Sequence, residues 1–322
     1  MQLQTKKIQW IPGTPFGISV YQVDSLSTQF QEDVLEIIMC MEGSVTLSFG
    51  YDAFRLHAGE FISMDQDAYY LVDGKNCTCV SFFFKLSPYK ERRIVSRSGM
   101  FACGGFRSVG NIYDPAANYD KPEYLELQSL LLGLLDCLRG PEQGKTEFQE
   151  QVNCAADRIM RWMVDYFDVL YYYVPKGKLS KQYIERHREL TDYMWEHRFE
   201  TITLKELSNK FHLTESYLSE FFRKSNLSFK RKTSYDKANA SEELLLLTNK
   251  SIAEIASICG FSDVKLYYAA FRRWYQCTPA EFRKMFKFGV QDELRYLEIL
   301  EINEQIMRVA LENHRRRLFA TY

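Results

Sequence analysis

Residues 203–224 (TLKELSNKFHLTESYLSEFFRK) and residues 251–273 (SIAEIASICGFSDVKLYYAAFRR) repeat one pattern of apolar positions. The first half of each copy carries an apolar triple at helical spacing, which is Leu204, Leu207 and Phe211 in one copy and Ile252, Ile255 and Cys259 in the other. The second half carries another apolar triple, which is Leu218, Phe221 and Phe222 in the first copy and Tyr267, Ala270 and Phe271 in the second. Each copy therefore predicts a short helix, a tight turn and a second short helix.

The residues between the two helices of each copy support this interpretation. Thr214 and Asp263, or its neighbour Ser262, are good N-caps for the second helices, because a side-chain oxygen there accepts a hydrogen bond from the first turn. Gly260 suits a turn residue with positive φ. The pattern predicts two helix-turn-helix units, whose second helices fit the major groove of DNA, about 12 Å wide.

The outward faces of the second helices are the candidate DNA-contacting surfaces. With the apolar triples in the core, these faces carry Ser216, Ser219, Glu220 and Arg223 in the first copy and Lys265, Tyr268, Ala269 and Arg272 in the second. Further basic candidates are Lys224, Lys230, Arg231, Lys232 and Arg273. The alternative for each is a solvated surface charge, and two amphipathic helices can also form a hairpin that never touches DNA. The duplication of the pattern favours DNA binding.

The order of five motifs across residues 183–286 resembles the C-terminal domain of AraC/XylS-type transcription regulators. The motifs are TLKELS at 203–208, SYLS at 216–219, SIAEIA at 251–256, GFSD at 260–263 and TPAEFR at 278–283. The resemblance implies a long helix over about Phe229 to Leu247 that joins the two units. It also implies a bacterial activator or repressor, usually dimeric, whose two units enter successive major grooves.

Three departures from the family pattern weaken the expected affinity for DNA. The family often has basic residues at the positions of Glu220 and Ala269, and glycines near Asn226 and at Gln276. The linking helix carries Tyr235–Ser241 in place of an Arg-rich pattern. A carboxylate that faces phosphates opposes binding, because attachment to DNA depends on neutralising phosphate charge.

The charge of the chain is divided unevenly. Its 322 residues sum to a net charge of −1, which excludes a bulk-basic, histone-like protein. Residues 1–180 carry 17 basic and 22 acidic side chains, whereas residues 181–322 carry 24 and 20, so the second half is the mildly basic one. With no long apolar run, no secretory signal pattern and eight scattered cysteines, the sequence predicts a cytoplasmic chain without a membrane span, disulfide framework or zinc site.

The first part of the sequence predicts short strands and then helices. Turn signals at Glu42-Gly43 and Asp73-Gly74 separate apolar or alternating runs, and helical spacing begins near Glu123 and again over Phe148–Tyr173. The predicted domains are 1–115, a cupin-like ligand-sensing barrel; 116–174, dimerising helices; 175–182, a linker; 183–287, the double helix-turn-helix domain; and 288–322, a C-terminal amphipathic helix. An amphipathic helix over Asp292–Leu311 would pack onto its own domain or form a dimer contact.

The N-terminal part resembles, less specifically, the cupin-like sensor of the same regulators, through Leu35-Glu-Ile-Ile, Glu42-Gly43 and Leu56–Phe61. Where metal-binding cupins have histidines, this chain has Phe30 and Glu32, and later Tyr70. Only Glu36 remains, and one carboxylate does not hold a catalytic metal. We expect an apolar ligand pocket with contacts from Trp10, Glu36, Arg55 and Tyr70; the alternative is core aromatics and a solvated arginine.

The sequence therefore predicts an α+β multidomain protein with a cupin-like β-barrel and an all-α domain of two helix-turn-helix units. The leading hypothesis is a homodimeric regulator that binds an operator, responds to a small-molecule effector such as a sugar, and contacts RNA polymerase if it activates. No enzyme motif and no cofactor are indicated. The first alternative is an interaction protein that kept the fold but lost operator binding. The second is a cupin enzyme with an appended DNA-binding domain, which would contain bound metal.

Overall fold

A computed structural model describes most of the chain, which forms two compact units. The described residues are 6–49, 52–66, 68–101, 103, 108–109, 112–113, 119–139, 145–173, 178–224, 228–288, 296–298 and 303–321. The C-terminal unit comprises Val169–Gly289 with Ser96–Gly99, and the N-terminal unit comprises Gln2–Val95, Met100–Asp168 and Val290–Tyr322. No helix within the described ranges is both long and apolar enough to cross a membrane.

The N-terminal unit contains a nine-stranded sheet in which the order is β1-β2-β6-β3-β4-β8-β7, with β5 on β3 and β9 on β2. Its strands are β1 Gln9–Trp10, β2 Phe16–Gln29, β3 Val34–Phe49, β4 Asp52–His57, β5 Phe61–Met64, β6 Tyr70–Lys85, β7 Ser108–Val109, β8 Ile112–Tyr113 and β9 Tyr296–Glu298. All pairings are antiparallel except that of β4 with β8. The first half of β3 pairs with β5 and its second half with β4.

The two faces of this sheet bury different clusters, because successive side chains of a strand point to opposite sides. The inner face carries the cluster that includes Tyr21, Ile38, Leu47, Phe54 and Cys79. The outer face includes Phe16, Ile37 and Phe82, which pack with apolar residues of three helices. These helices are α2 Pro122–Arg139, α3 Lys145–Trp162 and α12 Glu304–Thr321, and a short α1 spans Ser87–Glu91.

Two expected turns lie inside long strands. Gly43 has φ 74° within β3, where the register with β6 shifts, so Glu42-Gly43 marks a β-bulge and not a turn. Gly74 lies within β6, and a Cβ added there would be 2.2 Å from the Val23 carbonyl oxygen. The expectation of turns was wrong because each glycine permits a local irregularity or a close backbone approach within a continuous strand.

The expected helix over Phe148–Tyr173 is interrupted. After α3, residues Met163–Phe167 form a π-helical turn, and Asp168 has an extended backbone with ψ 130°. Asp168 pairs with Phe101 as an isolated β-bridge, and α4 follows at Val169–Tyr173. Apolar spacing continues through this segment, so the sequence pattern did not reveal the break.

The expected helix over Asp292–Leu311 was wrong at both ends. Residues Tyr296–Glu298 are β9, which pairs with β2, and α12 begins later because the Asn303 side chain accepts a hydrogen bond from the Gln305 N–H at 2.8 Å. On α12, His314 contacts Gln128 at 2.7 Å and Ser129 at 2.6 Å, both on α2. The C-terminal segment thus belongs to the N-terminal unit.

The C-terminal unit is helical. Its remaining helices are α5 Lys181–Glu196, α6 Leu204–Phe211, α7 Glu215–Lys224, α8 Phe229–Leu247, α9 Ile252–Ile258, α10 Val264–Tyr275 and α11 Pro279–Phe288. The linking helix α8 has the bounds that the resemblance implied. Helix α5 begins within the segment expected as a linker, where the Ser180 side chain caps it, and residues 175–177 of that segment lie outside the described residues.

Candidate functional site

The first helix-turn-helix unit consists of α6 and α7. Thr203 and Glu206 form a reciprocal capping box at the start of α6. His212 ends this helix in the left-handed conformation, with φ 53°. The Thr214 hydroxyl then accepts a hydrogen bond from the Tyr217 N–H at 3.1 Å, which starts α7.

The second unit, α9 and α10, is built in the same way. Ser251 and Glu254 form the capping box, and Gly260 has φ 70° at the position that His212 occupies in the first unit. The Asp263 carboxylate accepts from the Lys265 N–H at 2.8 Å. The expected caps, Thr214 and Asp263, and the expected positive φ at Gly260 are confirmed.

The second helices bury the expected triples and expose the opposite face. Leu218, Phe221 and Phe222 on α7 and Tyr267, Ala270 and Phe271 on α10 are buried. The outward residues Ser216, Ser219, Glu220, Arg223, Lys265, Ala269 and Arg272 are exposed, and Tyr268 is half-buried. Of the further basic candidates, Lys224, Lys230, Arg231 and Arg273 are exposed, whereas the half-buried Lys232 pairs with the buried Asp236 at 2.5 Å.

The charges on α7 compensate one another. Arg223 binds Glu220 with two guanidinium nitrogens, at 2.9 Å from Nε and 2.7 Å from Nη2 to the same carboxylate oxygen. Both side chains lie on the exposed face, so Arg223 presents a neutralised pair to solvent. The two acids and two bases of this helix sum to zero.

The charges on α10 do not compensate one another. The helix carries Lys265, Arg272 and Arg273 and no acidic side chain, and all three are exposed. Hydrogen bonds from Thr278 lower the pKa of Glu281, at the start of α11, and the nearby charge of Arg272 lowers it further. The second unit therefore presents the more positive face to solvent.

Two exposed apolar residues at equivalent positions were not among the DNA contacts that the sequence predicted. Tyr217 is 47% exposed on α7 and Leu266 is 55% exposed on α10, each the third residue of its helix. An apolar side chain on a recognition helix can contact the methyl group of thymine. The signal available in the sequence was the repeat itself, which aligns these two residues outside both apolar triples.

The unusual segment of the linking helix, Tyr235–Ser241, packs against α10. Trp274 lies edge-on to Tyr235, with ring centroids 5.4 Å apart, and Tyr267 donates to Ser241 at 2.9 Å. The next residue, Glu242, accepts hydrogen bonds from Tyr275 and from Asn239. Burial raises the pKa of Glu242 to about 7. The altered sequence of α8 thus makes specific contacts that hold the second recognition helix.

Two of the four expected ligand contacts meet on the inner face of the N-terminal sheet. Tyr70 donates a short hydrogen bond to Glu36, and both are buried. The Lys6 ammonium lies 2.6 Å from the other Glu36 oxygen, 3.0 Å from the Tyr70 hydroxyl and 3.2 Å from Ser81 Oγ. Burial, followed by the nearby Glu36 charge, raises the pKa of Tyr70 well above its usual value.

The other two expected contacts differ from each other, since Trp10 packs against Phe83, the residue that pairs with Glu36, whereas Arg55 lies apart from Glu36. Trp10 pairs with Gly17 across β1 and β2, its ring centroid is 6.5 Å from that of Phe83, and the Lys85 ammonium lies 4.4 Å from its ring. Arg55 is exposed on β4. Arg55 does not approach Glu36, because it lies between the inward-facing residues Phe54 and Leu56 on β4 and therefore points to the opposite side of the sheet.

The described residues include no group of three or more His, Cys, Asp or Glu side chains arranged to hold a metal ion. Glu36, the carboxylate expected at the metal position of a cupin, is paired with Lys6 instead. His57 is exposed, and its backbone N–H donates to Glu60 at 2.8 Å.

Paired helix-turn-helix units with exposed second helices define a DNA-binding class of domain. Residues 207–285 match the family described as a helix-turn-helix domain. The chain is similar to the Msm operon regulatory protein of Streptococcus mutans, with 36% identity over 26% of this chain and 31% of that protein. It is also similar to the transcriptional activator RhaR of Mannheimia succiniciproducens, with 32% identity over 22% of this chain and 32% of that protein.

The C-terminal unit therefore contains a helix-turn-helix domain that is similar to those of transcription regulators. The chain spans about a third of the length of the two curated relatives. Among solved structures, fatty-acid-bound ToxT of Vibrio cholerae is similar over 86% of this chain and 98% of that chain, with 12% identity and a TM-score of 0.41.

Proposed function

We propose that the protein is a sequence-specific transcription regulator that binds an operator through both helix-turn-helix units and responds to a small molecule in its N-terminal unit. One observation carries the proposal. Equivalent positions of the repeat on α7 and α10 are exposed, apart from the half-buried Tyr268, while the opposite face of each helix is buried. Exposed polar side chains on such helices read base edges in the major groove.

Within this proposal the two units have different tasks. Lys265, Arg272 and Arg273 neutralise phosphates, which supplies affinity that does not depend on sequence. On α7, the uncharged side chains of Ser216, Tyr217 and Ser219 read bases. The paired Glu220 and Arg223 contribute to selectivity, because an acid beside the wrong base or phosphate is repulsive.

Dimerisation would raise the affinity of these weakly basic faces. Linking two copies turns the second binding event into an intramolecular one, which increases overall affinity without a new contact. We propose a homodimer that works in the bacterial cytoplasm, with RNA polymerase as a further partner if it activates. The effector would contact the inner face of the sheet near Glu36 and Tyr70, and a sugar is the class that the family resemblance implies.

A DNA-binding titration tests the proposal. The full chain is titrated by fluorescence anisotropy against the promoter DNA of its own gene and against shuffled DNA of the same length, at moderate salt. We expect at least a tenfold preference for the promoter. Equal affinity for the two DNAs would reject operator binding.

The Glu220–Arg223 pair favours a second candidate, an interaction protein that acts through heterodimerisation without an operator. The triple variant R223A/K265A/R272A separates the two functions. Loss of promoter response in a reporter strain supports DNA binding, whereas full retention supports the second candidate. Lys181→Gln, which removes an exposed charge on α5, is the matched control.

A further inference from the structure

Lys6 is a buried charge in the segment that precedes β2. The arm, defined as residues 6–10, contacts the sheet through the two-residue strand β1, the hydrogen bond from the Lys6 N–H to Gln29 at 3.0 Å and the packing of Trp10 against Phe83. The Lys6 side chain is 0% exposed, and Glu36 is only 1% exposed. Ions buried in this way are costly unless they are paired and hydrogen-bonded.

The surroundings of the Lys6 ammonium match the needs of a primary ammonium ion. Its three protons have three acceptors, which are Glu36, Tyr70 and Ser81. Its nitrogen also lies 4.9 Å from the ring centroid of Tyr21 and 5.1 Å from that of Tyr70, where aromatic faces attract cations. The Tyr21 hydroxyl is in turn 3.0 Å from Ser81 Oγ, which fixes the acceptor.

The charge of this site selects the class of ligand. An anion would meet the Glu36 carboxylate, while the protons of Lys6 are already engaged. A neutral molecule that displaced Lys6 would leave Glu36 buried without its counter-ion, which is strongly unfavourable. A ligand with its own ammonium group replaces every interaction of the Lys6 nitrogen.

We propose that Glu36, Tyr70, Ser81 and Tyr21 form a binding site for a protonated primary amine, that Lys6 occupies it as an internal competitor, and that an amine effector releases the arm by taking its place. This inference rests on the proposed function, in which the N-terminal unit binds the effector. It assigns to the effector a primary ammonium group that contacts Glu36, in place of the sugar that the family resemblance implies.

Chemical rescue tests the proposal. Lys6→Ala removes three methylene groups and the ammonium, which n-propylammonium restores in size and charge. We expect n-propylammonium at tens of millimolar to raise the Tm of the full-length variant by roughly 3 °C and to saturate. Propan-1-ol and propionate, of similar size but neutral or anionic, should shift the Tm much less.

The double variant K6A/E36Q is the matched control, because it keeps the space but removes the carboxylate. The same rise in the double variant, or an equal rise with propan-1-ol, would overturn the proposal. If K6A does not fold, hydrogen exchange of the wild-type chain gives the answer. n-Propylammonium should then speed exchange of the amides at 6–10 at least threefold relative to propan-1-ol, and an unchanged rate would overturn the proposal.

These measurements do not involve DNA. A rescue without promoter preference would therefore support the amine site and reject the operator, whereas promoter preference without rescue would reject only the amine site.

Discussion

The two helix-turn-helix units are built alike and present different charges to solvent. Both have a capping box, a left-handed turn residue and a second N-cap at equivalent positions. The first unit pairs its exposed arginine with Glu220, whereas the second exposes Lys265, Arg272 and Arg273 on a helix without an acid. A duplicated fold can thus keep its internal design while its two surfaces take on different tasks.

The largest expected effect comes from removing the charges of the second unit. In K265Q/R272Q/R273Q, we expect promoter affinity to fall roughly 100-fold at moderate salt and the slope of log K against log salt to decrease by about 3, because three phosphate contacts are lost. Anisotropy titrations over a salt series measure both quantities. The charge-neutral control E220Q/R223Q should change the salt slope little; a comparable decrease in the control would refute the division of tasks.

The second prediction concerns how α10 is held. The pKa of Glu242 in the folded chain, about 7, exceeds its usual 4.5, so the folded state binds more protons between these values. Stability should therefore fall as pH rises through that window, by roughly 3 kcal/mol at most. Glu242→Gln keeps Oε1, which accepts from Tyr275 and Asn239, and should flatten this dependence.

Urea unfolding at pH 5 and pH 8 checks this prediction. The exposed neighbour Glu243 provides the control, since Glu243→Gln should leave the pH dependence as in the wild type. An unchanged slope in Glu242→Gln would contradict the assignment.

A smaller effect is expected when Arg223 is released from its partner. Glu220→Gln should strengthen promoter binding roughly fivefold at low salt and steepen the salt slope by about 1, because the arginine then contacts a phosphate. Specificity for promoter over shuffled DNA should decrease. Glu185→Gln on α5 removes an acid outside both units and should leave the salt slope unaltered; a similar gain there would indicate a general charge effect.

The smallest effect concerns the turns. His212 and Gln276 have φ of 53° and 52°, which a residue with a Cβ adopts at a cost, whereas Gly260 holds the equivalent of the His212 position at φ 70°. His212→Gly and Gln276→Gly should each stabilise the chain by roughly 0.5–1 kcal/mol. Gly260→Ala should destabilise it. Thermal melts of the three variants test this, and a loss of stability in both glycine variants would show that the turns are not strained.

Much of the C-terminal domain follows from sequence because its interactions are local. Helical spacing, the caps Thr214 and Asp263 and the glycine at 260 act within one or two helical turns, so they can be predicted from the sequence. The same reasoning misjudged Glu42-Gly43 and Asp292–Leu311, where a bulge and an edge strand depend on partners far away along the chain.

The sequence by itself determined the repeated helix-turn-helix pattern and the direction in which each recognition helix faces, since both depend on periodicity. Only the tertiary structure decided that Lys6 fills the site beside Glu36 and that the Tyr235–Ser241 segment packs against α10. Charge pairing, exposure and burial of an ion all depend on distances between atoms, and residues 6, 36 and 70 become neighbours only when the sheet has formed.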